Sequence, residues 1–125
     1  MREEVKRRTK RVGLEVIKLI DELPNKPSAR AIGNQIVRSS TSIGANYRAA
    51  CRAKSTPDFV NKLKIVEEET DETIFWIEML IESGLVSQER LSGLLSETNE
   101  ILSIIVASIN TIKNKSKIAT NKLND

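Results

Sequence analysis

Four stretches of this chain repeat their apolar and small residues at steps of three and four, and only short breaks separate them. Val5, Thr9, Val12, Val16, Leu19 and Leu23 form the first such series. Steps of this kind return to one face of a helix with 3.6 residues per turn, so the series predicts an amphipathic helix. Pro24 and Pro27 end it, because proline lacks an amide hydrogen and restricts the residue before it. A second series runs through Ala29, Ile32, Ile36, Ser39, Ile43, Asn46, Ala50 and Ala53. Its inner face turns small and polar after Ile36, which lets a neighbouring helix approach closely. Hydroxyls bonding back to the preceding turn, together with Gly44, predict one long, bent helix.

Ser55-Thr56-Pro57-Asp58 has the composition of a helix start: a hydroxyl cap, a proline in the first turn and an acid beside it. From there Phe59, Leu63, Val66, Thr70, Thr73, Ile77 and Leu80 hold one face, and Gly84 supplies the left-handed stop. Ser87 caps a fourth helix with a stripe of Leu91, Leu94 or Leu95, Thr98, Leu102, Ile105, Ile109 and Ile112. Short connections make sequential helices antiparallel neighbours. The expected fold is all-α: an up-down-up-down four-helix bundle over residues 1–113, followed by a disordered basic tail over 114–125. The tail has too little apolar surface to offset its ordering entropy.

Composition excludes several function classes. The chain has no histidine and one cysteine, Cys51. That leaves no disulfide framework, no Cys/His zinc site and no Cys–His or Ser–His pair. No apolar run approaches the roughly 18 residues of a membrane span, and no export signal follows the charged amino terminus. The expectation is a cytoplasmic protein with no membrane association and no cofactor. The run Glu67-Glu68-Glu69 with Asp71 and Glu72 invites a metal reading, but Val66 and Thr70 hold the inward positions there. Carboxylate-bridged metal sites in bundles need inward glutamates, commonly with histidine partners. A solvated or salt-bridged face is expected, with no metal. Cys51, among alanines, reads as a small packed residue with no base nearby.

Charge is segregated along the chain. Residues 1–54 hold 13 Lys and Arg against 5 Asp and Glu, residues 55–112 hold 3 against 11, and residues 113–125 hold 4 against 1. Either an acidic half lies against a basic half, within or between chains, or a basic face meets a polyanion. Lys6, Arg7, Arg8, Lys10 and Arg11 surround the inward Val5, Thr9 and Val12, so they are expected to point outward, where they can contact phosphate. Arg48 and Arg52 lie four apart. They are expected to pair with the acidic third helix, the alternative being bidentate phosphate contact.

Two helices carry more apolar surface than one bundle needs. Phe75, Trp76 and Met79 form a second patch on helix 3, and Ile101 and Ile104 widen helix 4. A broad core contact is one reading. An oligomer interface fits better, because such a patch on a monomer is a liability.

The stretch Ile36-Val37-Arg38-Ser39-Ser40-Thr41-Ser42-Ile43-Gly44-Ala45-Asn46-Tyr47 resembles a known bacterial family, as do Arg52-Ala53-Lys54-Ser55 and Leu63-Lys64-Ile65-Val66-Glu67-Glu68. The family is that of four-helix-bundle proteins encoded in intervening sequences of large-subunit (23S) ribosomal RNA genes. The likeness runs from about Val12 to Ile112 and marks no catalytic site. It implies a homopentamer, and similarity to the basic pentameric accessory variability protein of diversity-generating retroelements. The expected function is non-enzymatic: a homo-oligomer that binds RNA or DNA through its basic face. The alternative is an oligomer that docks a protein partner, its charges serving assembly alone.

Overall fold

A computed structural model describes residues 1–124, with side chains as far as Lys122. It contains α1 (Arg2–Asp21), α2 (Pro27–Cys51), α3 (Thr56–Glu82) and α4 (Gln88–Asn124). Helices adjacent in sequence pack together, α4 closes against α1, and the backbones of the two diagonal pairs do not approach closely. Cross-helix contacts fix the directions. A Cβ at Gly13 would face Thr41, one at Gly44 would face Lys10, and one at Gly33 would face Ile20 and Leu23, so α1 and α2 run antiparallel. Arg8 meets Glu97 and Glu100 while Glu22 meets Arg90, so α1 and α4 do too. The chain is an up-down-up-down four-helix bundle.

The breaks act through the expected chemistry. Ser55 caps α3 by accepting from the Asp58 amide at 3.2 Å, with Pro57 in the first turn. Ser87 Oγ accepts from the Arg90 amide at 3.3 Å at the start of α4. Gly84 stands at φ +79°, a conformation costly for any residue with a Cβ. On α2, Ser39, Ser40, Thr41 and Ser42 each donate to a carbonyl three or four residues back. The helix is nonetheless continuous over all 25 residues.

The core is aliphatic, with a hydroxyl belt. Val12, Val16, Ile36, Ile43, Leu63, Val66, Ile77, Leu80 and Ile105 are all buried, together with Thr9, Ser39, Ser40, Thr70, Thr73 and Thr98. All six hydroxyls bond to a carbonyl of their own helix. Thr73 also donates to Ser39 Oγ at 2.9 Å, tying α3 to α2. Among the described residues, no helix is long and apolar enough to cross a membrane.

Three expectations are corrected. On α2 the inward seat after Ile43 belongs to Tyr47, not Asn46. Asn46 is half-buried and donates to the Ser42 carbonyl at 2.8 Å. Both 46 and 47 are a turn beyond Ile43, and the larger apolar body of tyrosine takes the interior. On α4, Ile101 is buried in the protomer core and Leu102 only half so. Packing between α3 and α1 requires a stripe wider than one line of residues. Finally, residues 114–124 continue α4 as helix instead of coil. No described side chain from Lys113 onward is buried, so this extension rests on its own helical hydrogen bonds. Asp125 lies outside the described residues.

Candidate nucleic-acid interface

Alternating helix direction brings to one end of the bundle the start of α1, the end of α2, the start of α3 and the end of α4. Two helix N-termini and the C-terminus of α2 meet there while α4 continues past them, so side chains set the field. The side chains are overwhelmingly basic. The first turns of α1 contribute Arg2, Lys6 and Arg7. The end of α2 and its loop add Arg48, Arg52 and Lys54, α3 adds Lys62 and Lys64, and α4 adds Lys113, Lys115 and Lys117. Glu3, Glu4 and Asp58 oppose them near the helix ends, and Glu97 and Glu100 do so at the level of Arg8.

Some of these cations are partly engaged. Lys6 pairs with Glu3 at 3.0 Å, Arg7 with Glu4 at 4.0 Å and Lys62 with Asp58 at 3.4 Å, all within one helix. Arg2 lies over the Phe59 ring at 4.8 Å, a cation–π contact that leaves its charge in place. Among the described residues, Arg48, Arg52, Lys54, Lys64, Lys113, Lys115 and Lys117 have no acidic partner within 4 Å.

The expected site residues separate into groups. Lys6, Arg7 and Lys10 point into solvent or lie at its edge. Arg11 is exposed but pairs with Glu15 at 3.2 Å. Arg8 does not point outward to solvent: it donates through Nε and Nη2 to both carboxylate oxygens of Glu97, at 2.9 and 2.6 Å, and reaches Glu100 at 3.2 Å. Its side chain is 17% exposed, and it fastens the α1–α4 seam. The hydrogen bonds to Glu97 raise the Arg8 pKa further, while Arg8 holds the Glu97 carboxyl below its ordinary value. Arg48 and Arg52 do not pair with α3. Arg38, nearly three turns of α2 nearer the middle, reaches Glu69 at 3.3 Å and also contacts Glu72. The expected α2–α3 pairing therefore exists, carried by a different arginine, because level along the bundle and not charge alone selects the partner.

Of the expected interface residues, Phe75 and Met79 are exposed, at 50% and 39%. Trp76 and Ile104 are half-buried and pack against the core, and Ile101 is inside it. Phe75 and Trp76 meet edge to face at 5.0 Å between centroids. The broad-contact reading accounts for Trp76, Ile101 and Ile104, and the exposed-patch reading for Phe75 and Met79. Cys51 is a half-buried free thiol near Tyr47. Burial, with the neighbouring thiol, pushes the Tyr47 hydroxyl up to about 12. No three acidic or thiol side chains converge as a metal site among the described residues.

Sequence reasoning missed the inclusion of Lys54, Lys64 and the α4 lysines in one surface. The signal was present: alternation of direction places every odd helix start beside every even helix end. Leu14 and Ile17, at 51% and 39% exposed, were also missed. They sit between members of the inward series of α1, Leu14 two residues from Val12 and Val16 and Ile17 next to Val16.

No curated protein matches this chain. A solved structure from Bacteroides thetaiotaomicron, a protein of unknown function from the S23 ribosomal protein family, is 33% identical. The match covers 88% of this chain and 99% of that one, with a TM-score of 0.81. The family model for the 23S rRNA-intervening sequence protein matches residues 2–107. With the family model matching most of the chain's length and the fold shared, the chain belongs to the 23S rRNA-intervening sequence protein family.

Proposed function

We propose that this protein is a non-enzymatic homopentameric bundle that binds nucleic acid, RNA foremost, through the phosphates facing its basic end. The observation that carries this reading is the gathering at one end of cations from all four helices, those from α2, α3 and α4 mostly without an acidic partner. Phosphate contact needs no catalytic constellation, only cations that stay solvated until counterions leave. Arg48 and Arg52 supply planar forks suited to phosphate, and Lys54, Lys64 and the α4 lysines supply point charges. One protomer binds weakly on this basis. Several linked protomers raise avidity by orders of magnitude with no new contact.

The test is a titration of the full chain against labelled single-stranded and hairpin RNA at several salt concentrations. The logarithm of affinity should fall linearly with the logarithm of salt. Replacing Arg48, Arg52 and Lys54 with alanine together should lower the slope by roughly 2 to 3, at about 0.7 to 0.9 per lost phosphate contact. Absence of salt-dependent binding by the parent overturns this function and leaves docking of a protein partner. An unchanged slope in the triple variant overturns the assignment to this end of the bundle.

A further inference from the structure

Large apolar side chains are exposed at only seven places among the described residues, and two of these, Met1 and Ile118, lie near the chain ends. The other five fall on two faces. Leu14 and Ile17 flank a groove of about 590 Å³ between α1 and α2. Its floor is small, made by Gly13, Thr41, Gly44 and Ala45, and Lys10 and Arg48 stand toward its basic end. The close approach of α1 to α2 depends on that floor: a Cβ on Gly44 would lie 3.2 Å from the Lys10 backbone.

Ile65, Phe75 and Met79 lie on the outer face of α3. Glu68, Glu72 and Glu82 complete a line with them, at steps of three and four, and Asp71 and Glu78 flank it. Glu72 is engaged by Arg38. Glu68, Asp71, Glu78 and Glu82 are exposed and have no basic partner within 4 Å among the described residues. One face is thus apolar and basic, the other apolar and acidic. α1 and α3 are diagonal in the bundle, so one chain cannot bring these faces together.

We infer that the groove between α1 and α2 receives the outer face of α3 from a second copy of this chain. Leu14 and Ile17 meet Phe75 and Met79, while Lys10 meets Glu68 and Asp71. The match of apolar to apolar and basic to acidic sets the orientation. Leu14 and Ile17 lie farther from the basic end than Lys10, and Phe75 and Met79 lie farther from it than Glu68 and Asp71, so neighbours stand side by side with basic ends on the same side. Two different faces make the contact head-to-tail, which yields a ring when the rotation closes. This inference rests on the homo-oligomer of the proposed function and assigns its contact surfaces.

Solution mass by light scattering tests it, with Leu14→Asp on the groove and Phe75→Asp or Met79→Asp on the α3 face. Each position is exposed, so unchanged helicity and melting of the monomer are expected, and the second α3 variant covers any folding defect at Phe75. Each variant alone should fall to the 14.0 kDa of one chain. An equimolar mixture of a groove variant with an α3 variant retains one intact groove and one intact α3 face per pair. It should therefore form a dimer and nothing larger. A parent that is itself monomeric overturns the oligomer and this inference together. Variants that keep the parent's mass, or a mixture that stays monomeric, overturn the paired faces alone and leave the oligomer standing.

Discussion

Arg8 shows how one side chain can change role between sequence and fold. In the sequence it is one of five clustered cations, and nothing local distinguishes it from Arg7 or Arg11. In the fold it alone reaches across to α4, because its position faces the seam at the level of Glu97. Arg8→Ala should lower stability by about 1 to 2 kcal/mol at neutral pH, as charge-assisted hydrogen bonds at a partly buried seam are lost. The Glu97 carboxyl is held below its ordinary value in the folded state, so its contribution is present above the unfolded carboxylate pKa. It disappears as pH falls through the lower folded value. Thermal melts of parent and variant should therefore differ most near neutrality and converge in acid. A difference that is constant with pH contradicts the pairing. The inward threonines, by contrast, were legible: Thr9, Thr70, Thr73 and Thr98 all fell on the predicted inner series and all are buried. Periodicity reports facing regardless of polarity. Asn46 and Tyr47 exposed its limit, since adjacent positions on a wide stripe both point partly inward and volume decides between them.

Among the elements, the contact of α1 with α2 depends most on the absence of side chains. Gly44 approaches backbone, which cannot rotate away, so Gly44→Val should cost about 1 to 3 kcal/mol through overpacking. Gly93 on α4 faces nothing within 4 Å. There an added methyl only improves helix propensity, and Gly93→Ala should stabilise by about 0.5 to 1 kcal/mol. Chemical denaturation of the two variants checks both signs, and a stabilised Gly44→Val would mean that α1 stands farther from α2 than described. Element boundaries were legible because they rest on local chemistry, in the prolines, the Ser55 and Ser87 caps and Gly84. The end of α4 was not. The loss of apolar surface past Ile112 marks where packing stops, and helical hydrogen bonding continues beyond that point to Asn124.

For the whole molecule, the distribution of charge along the chain and in space tell different stories. Block sums separate the basic first half from the short basic end. The alternating helix directions then carry the cations of α2, α3 and α4 to the same place. That gathering depends on long-range topology, which no local window contains, although the topology itself followed from short connections. The α4 extension belongs to this end, and with no buried side chain among its described residues it can open at little cost to the core. Trypsin requires just such a locally unfolded segment beside lysine. Its first cuts should come after Lys113, Lys115 or Lys117, and the trimmed bundle should melt as the parent does, as mass spectrometry and circular dichroism would register. First cuts after Arg52 or Lys54, in the connection between α2 and α3, would show that this turn opens before the extension does. Bound RNA should slow cleavage at these same lysines, so the segment that contributes least to folding becomes a built-in footprinting reporter for whatever the basic end holds.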